Sequence, residues 1–353
     1  MTKKTLVMTM VKDDQMFLKI WHDYYSGCFG AENCLVIDHG SQDRTELNQI
    51  ESLGSQVIQL TETGCVLDGQ NFQPKRPPGS FVRQTVADLR LKIRGEKYKM
   101  HHFDGFRFSI INQVKDYLLD QYDFVIVTDV DELILPSPSL HTDLPRYLED
   151  NFSELAKFKA VGGIGIEVFH DISGEAEFDP QRPIFQQREN YYYRVHYSKP
   201  NILTDKVWIS THVANIPFVI DSNLLLVHLK LLDQKTCLET HHQRYEMFKD
   251  RRVGKRSRWA KVEDQARAWF ASAGAKQFSS DTELAARFLK RNFKPAGGSY
   301  YRVGLGKRTS KLVPLRWDPS VKYKATGGLC LPELDEFESY RFKTDASWQR
   351  TGV

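Results

Sequence analysis

The segment DFVIVTDVDELILP, residues 123–136, constrains this chain more than any other. Four consecutive apolar residues, Phe124–Val127, predict a strand buried on both faces, and Asp129, Asp131 and Glu132 follow it at once. Three carboxylates crowded at the end of a buried strand are costly unless positive charge offsets them. A divalent cation is the simplest source of that charge. In extended geometry Asp129 and Asp131 share a face and converge on one ion. Hard carboxylate oxygens suit Mn2+ or Mg2+, with phosphate oxygens completing the shell. A lone Asp-x-Asp is ordinarily an acidic loop that caps the next helix. The buried strand before this one favours a functional reading.

The region around that segment alternates between strand and helix patterns. Thr5–Met10 predicts a strand, and Asp13 or Asp14 then caps a helix whose apolar face carries Phe17, Leu18, Ile20, Trp21 and Tyr24–Tyr25. Cys34–Asp38 predicts a second strand, closed by Gly40. Asp43 opens a short helix with Leu47 and Ile50, and Val57–Leu60 predicts a third strand. Residues Thr61–Ser80, rich in Gly and Pro, predict a long loop, and helices follow near Phe81–Arg94 and Arg107–Gln121. Such alternation argues for a parallel, doubly wound α/β sheet with ligands at the carboxyl ends of its strands, at Lys12, Asp38 and Asp129. Four β-rich stretches follow, at Gly165–His170, Tyr191–Tyr197, Lys206–His212 and Leu224–Leu229, and predict an antiparallel extension. From Asp233 the pattern turns helical (Thr236–Phe248, Trp259–Ala271, Thr282–Asn292), and a Gly- and Pro-punctuated tail begins at Pro295.

The 353 residues, 41% hydrophobic and 27% charged, are enough for a sizeable core and exclude a disordered chain. No run of eighteen apolar residues exists, and Lys3-Lys4 precede only Thr5–Met10 before the charges of Lys12–Asp14. These features, with five cysteines lacking metal-ligand spacing, predict a cytoplasmic protein. The net charge of +4 conceals an asymmetry. Lys249–Lys311 holds seventeen Lys or Arg against five Asp or Glu, a local charge of +12 that leaves the remainder at −8. The division predicts a mildly acidic domain over residues 1–232 and a basic helical appendage over 233–353. A basic run is usually a solvated face; its competing use is peripheral docking on anionic membrane, at the inner face of the plasma membrane. No nucleic-acid-binding motif accompanies it.

Asp13-Asp14, Leu18, Trp21, Asp38-x-Gly40-Ser41-x-Asp43-x-Thr45, Asp129–Glu132, Lys199-Pro200 and His228 follow one another in an order already known. Over residues 5–232 the chain resembles the family-two glycosyltransferases of GT-A fold, in the branch opening (N/D)-E-x-x-x-L-x-x-W-x-x-x-H. It departs from that pattern at Asp14 for Glu, Tyr25 for His, His39 for Asn or Asp, and Leu133 for Phe. The resemblance implies a GT-A-like doubly wound mixed sheet and transfer of a sugar from a nucleoside diphosphate donor, UDP- or GDP-linked. The acceptor would be a hydroxyl on a saccharide or lipid-linked molecule, in the building of a bacterial surface polysaccharide or glycoconjugate.

On that reading Asp131 and His228 are metal ligands, and Asp129 reaches the metal or the ribose. His212 is a weaker ligand candidate. Asp38 accepts from base or ribose; Lys12, Arg107 and Lys199 serve the nucleotide sugar, with Arg83 and Lys206 as lesser choices. The metal neutralises the diphosphate leaving group. An inverting transfer also needs a base for the acceptor hydroxyl, and Glu167 and Asp171, in GIGIEVFHDI, are the natural carboxylates, with His170 behind them. Glu132 is then a support for the metal site. The paired histidines His101-His102 and His241-His242 read as surface residues. Two rivals remain. A sugar-phosphate nucleotidyltransferase would carry a Gly-rich basic loop where TMVKDDQMF stands. A non-catalytic carbohydrate-binding protein would have no use for the clustered carboxylates.

Overall fold

The computed structural model describes residues 3–74, 104–137, 142–188, 190–193, 197–248, 293–303 and 339–341, with residues 140 and 270. The expected helices near 81–94 and 282–292, that near 259–271 apart from residue 270, the histidines 101 and 102, Arg83 and most of the basic stretch lie outside the described residues.

Strand β1 (Thr5–Val11) is buried along its whole length, as a strand covered on both faces must be. It pairs in parallel with β2 (Cys34–Asp38) and β6 (Phe124–Val127), and β2 pairs in parallel with β3 (Gln56–Gln59). Helices α1 (Gln15–Phe29) and α2 (Thr45–Ser52) connect the first three strands, and α3 (Asp104–Leu118) precedes β6. Alternate strand residues separate two cores. Val7, Val36, Phe124 and Ile126 pack with Phe17, Leu18, Trp21 and Tyr25 of α1, while Leu6, Met8, Leu35 and Val125 pack with Ile110 and Val114 of α3. This half is doubly wound, as the alternation predicts.

Several expectations need correction here. The loop from Thr61 contains a hairpin, β4 (Cys65–Leu67) and β5 (Gln70–Phe72), turning through Asp68 at φ 49° and Gly69 at φ 74°. Asp-Gly is the dipeptide that suits a two-residue turn with both φ values positive. Neither Asp13 nor Asp14 caps α1 through its side chain: Asp13, itself at φ 51°, accepts from Gln42 N–H at 2.5 Å.

The second half is mixed rather than simply antiparallel. After β7 (Glu132–Pro136), the short helices α4 (Leu144–Asp150) and α5 (Phe152–Leu155) lead to β8 (Ala160–Phe169). β9 (Asn190–Tyr193) and β10 (Ile202–Leu203) follow, then the long β11 (Val219–Leu231). β10 is antiparallel to both β6 and β8 and joins the two halves, but β8 and β11 run parallel. The expected strand at Lys206–His212 does not form, because β10 already fills the place between β6 and β8. Instead Trp208 and Asn215 close a loop, which buried Asn112 of α3 grips through both the N–H and the C=O of Ile209.

Helix α6 (Gln234–Phe248) begins where the helical pattern does, with Asp233 accepting from Thr236 N–H at 2.9 Å. The tail then returns to the sheet. β12 (Phe293–Gly297) pairs with β13 (Tyr300–Val303), and β13 pairs with β11, so residues 293–303 extend the sheet built by the first 231. β14 (Ser339–Arg341) pairs with β9. Among the described residues no helix is long and apolar enough to cross a membrane.

Candidate functional site

Three neighbouring strands assemble the site. β11 has β8 on one edge; on the other it pairs first with β13, through Asp221, and then with β7, from Leu224. The change of neighbour coincides with a register shift against β8 between Asp221 and Leu225. The outcome is one transverse row in which His228 lies opposite Glu132 of β7 and opposite Glu167 of β8.

His228 is held at both nitrogens and on one face. Its Nδ1 is 2.8 Å from Oε1 of Glu167, its Nε2 is 3.5 Å from Oδ2 of Asp131, and the Tyr197 ring stacks on it at 4.0 Å and 12°. Burial lowers the basicity of the imidazole, but Glu167 and Asp131 outweigh that and leave its pKa raised. Glu167 is 1% exposed and faces His228. The sequence suggested it as a base for the acceptor; the structure sets its carboxylate against the imidazole. Asp171 is engaged elsewhere: its carboxylate accepts from the N–H and the hydroxyl of Ser173 in the turn beyond β8. His170 is buried, near Asp233 at 3.7 Å.

Asp129 and Asp131 have different nearest partners. Residues 130 and 131 form a turn, closed by Glu132 N–H to the Asp129 carbonyl at 3.1 Å, so the extended alternation fails there. Asp129 instead meets the Lys199 ammonium at 2.8 Å and the Arg107 guanidinium at 3.7 Å. Burial raises the Asp129 pKa, but Lys199 and Arg107 hold it well below the usual carboxylate range. Lys199 also lies 2.7 Å from Glu132. Burial lowers the Lys199 pKa, but Asp129 and Glu132 hold it above its ordinary value. Burial pushes Glu132 up to about 7 against the pull of Lys199.

The backbone around Lys199 is fitted tightly to β8. Gly165 N–H donates to the Ser198 hydroxyl at 2.9 Å, Asn201 N–H donates to the Val161 carbonyl at 3.1 Å, and the Asn201 side chain donates to the Val127 carbonyl at 2.7 Å. A Cβ on Gly162 would stand 2.1 Å from the Lys199 carbonyl oxygen. Glycine is what allows this approach. On the far side, Trp21 Nε1 donates to the Thr128 hydroxyl at 2.8 Å and ties α1 to the base of the acidic turn.

The other sequence candidates fall elsewhere or serve the scaffold. Asp38 is fully buried; one oxygen accepts from Ser41 N–H at 2.8 Å and the other pairs with Arg44, which fastens the loop after β2. Lys12 stands half-buried just beyond β1. Lys206 pairs with Asp120 at 2.5 Å, and His212 is exposed, 6.5 Å from the Tyr197 ring. His241 is buried, against the surface position expected for it, while His242 is exposed. Sequence reasoning missed Tyr197. Its only signal was adjacency to Ser198-Lys199-Pro200. Among the described residues no group of three or more His, Cys, Asp or Glu is arranged to hold a metal ion.

No protein family and no curated protein matches this sequence. Solved structures similar to it include a mannose-1-phosphate geranyltransferase from Thermus thermophilus, at 8% identity and a TM-score of 0.23. The match covers 75% of this chain and 68% of that one. So loose a superposition carries no argument about fold or function.

Proposed function

We propose that this chain is a glycosyltransferase of GT-A type that moves a sugar from a UDP- or GDP-sugar to an acceptor hydroxyl, with inversion, in the presence of Mn2+ or Mg2+. One observation carries the reading: the line Glu167–His228–Asp131, beside the cations Lys199 and Arg107. The chemistry of the donors fits a divalent cation with few protein ligands. Metal-binding imidazoles commonly give their second nitrogen to a carboxylate, as His228 does to Glu167, and Mg2+ or Mn2+ sites often take one or two protein ligands with substrate phosphates supplying the rest. Asp131 and His228 would hold the ion; Asp129, already engaged by Lys199 and Arg107, would stand behind them. When bound, such an ion supplies the charge that stabilises a departing diphosphate.

The protein's own groups do the remaining work. Glu167 fixes the Nδ1 edge of the His228 ring. Lys199 and Arg107 place positive charge where a diphosphate would lie, and Asp129 and Glu132 keep the buried Lys199 ammonium ionised. The acceptor is read as a saccharide or lipid-linked molecule, and the basic stretch 249–311 suits the anionic membrane surface where the latter resides. Flotation with anionic vesicles at low and high salt tests that contact; absence of any lipid or salt dependence rejects it.

The function is tested by incubating purified protein with a panel of UDP- and GDP-sugars, with and without Mn2+ or Mg2+. Metal-dependent release of the nucleoside diphosphate is expected from the wild type, and its loss from folded Asp131→Asn and His228→Ala. Full activity in Asp131→Asn rejects the metal assignment. Pyrophosphate release from a nucleoside triphosphate points to nucleotidyl transfer instead, and a product that keeps the donor's anomeric configuration rejects inversion.

A further inference from the structure

The contact between Tyr197 and His228 has no part in the chemistry above, yet its geometry is specific. Glu167 holds the Nδ1 edge of the imidazole at 2.8 Å, while Nε2 lies 3.5 Å from Asp131, too long a contact to fix the ring plane by itself. The Tyr197 ring, 4.0 Å away and nearly parallel at 12°, lies on the imidazole face and opposes tilting of the ring. Tyr197 is itself placed by the backbone. Lys199 N–H donates to the Tyr197 carbonyl at 2.9 Å, and the intervening Ser198 accepts from Gly165 N–H, two residues before Glu167 on β8. The strand that supplies the carboxylate thus also anchors the segment that supplies the aromatic ring.

We propose that Tyr197 is a positioning residue that fixes the plane of the His228 imidazole, so that Nε2 stays aimed at Asp131, and thereby sets the affinity of the Asp131–His228 pair for a divalent cation. The proposal rests on the reading of that pair as a metal site. It predicts that the aromatic ring matters and the hydroxyl does not. Partners that orient a metal-binding histidine typically change affinity by about 10–100-fold, and the lower end suits a contact made through a ring face alone.

The experiment measures binding of Mn2+ alone to the full chain by electron paramagnetic resonance, without substrate or turnover. Far-ultraviolet circular dichroism and the thermal midpoint verify folding. Tyr197→Leu and Tyr197→Met are each expected to bind Mn2+ about tenfold more weakly than wild type. Tyr197→Phe is expected within about twofold of wild type, since it keeps the stack. Two non-aromatic variants are used so that a folding defect in one leaves the other to decide. If either folded non-aromatic variant binds as tightly as wild type, the proposal is overturned, and it is equally overturned if Tyr197→Phe binds as weakly as Tyr197→Leu. A wild-type protein that takes up no Mn2+ overturns the Asp131–His228 metal reading itself, a result distinct from both.

Discussion

Replacing Lys199 by Met tests the charge balance of the site without reference to substrate. The Lys199 side chain is 7% exposed, and its ammonium lies 2.7 Å from Glu132, whose side chain is 1% exposed, and 2.8 Å from Asp129, whose side chain is 34% exposed. Methionine keeps most of the volume and removes the charge. Removing one partner of a buried ion pair typically costs about 3–5 kcal/mol, because the other is left uncompensated. Asp129 keeps Arg107 at 3.7 Å and some solvent, so the burden falls on Glu132 and the expected loss is about 3 kcal/mol at pH 8.

The pH dependence has a definite sign. Glu132 has a folded pKa pushed up to about 7, above its ordinary value of 4.5, so between those values the folded state holds a proton that the unfolded chain has released. Stability from this group is therefore fully present below about 4.5 and is lost as pH rises through about 7. Without Lys199 the carboxyl rises further, and each unit adds about 1.4 kcal/mol to the penalty on the alkaline side. Urea unfolding of wild type and variant at pH 6 and pH 8 should show a loss that is clearly larger at pH 8. A loss under about 1 kcal/mol at both pH values, well below the cost of orphaning a buried charge, would refute this account of Lys199. Adding Glu132→Gln should restore much of the stability at pH 8, since it removes the orphaned charge.

Two further outcomes follow from packing and burial. Gly162→Ala sets a Cβ 2.1 Å from a backbone oxygen that cannot rotate away, so it should cost about 3 kcal/mol in urea unfolding; a neutral substitution would mean that the 197–201 segment does not sit on β8. Burial pushes the thiols of Cys28 and Cys34 up to about 12 and that of Cys65 to about 11, so all three should react slowly with Ellman's reagent at pH 8 and quickly after unfolding in urea. Stoichiometric labelling of the three in native protein within a minute would contradict their burial.

The parallel half of the fold was legible because each element announces itself locally. The Phe124–Val127 run and Cys34–Asp38 became strands with those bounds, and Phe17, Leu18 and Trp21 marked the buried face of α1. The site was legible as an inventory of residues and not as a set of partners. Asp129, Asp131, Lys199 and His228 all lie where the chain returns to the same region. Which cation meets which carboxylate depends on a turn at 130–131 and on cross-strand register, and neither is written in spacing. Glu167 looked like a free carboxylate because nothing local shows that it lies opposite His228, 61 residues away. Tyr197 was missed because a face-on contact leaves no pattern along a chain. The Asp68-Gly69 hairpin was the avoidable miss, since that dipeptide is itself a turn signal.

The break in β11 between Asp221 and Leu225 bears on how this protein tolerates changes in length. Side chains on a strand alternate faces, so deleting one residue between Leu225 and His228 would turn the imidazole to the opposite side of the sheet, away from Glu167 and Asp131. One residue gained or lost at Ser222 or Asn223 falls instead where pairing with β8 is already interrupted. The break acts as an expansion joint. A change of length there would disturb the row of Glu132, His228 and Glu167 less than one beside His228.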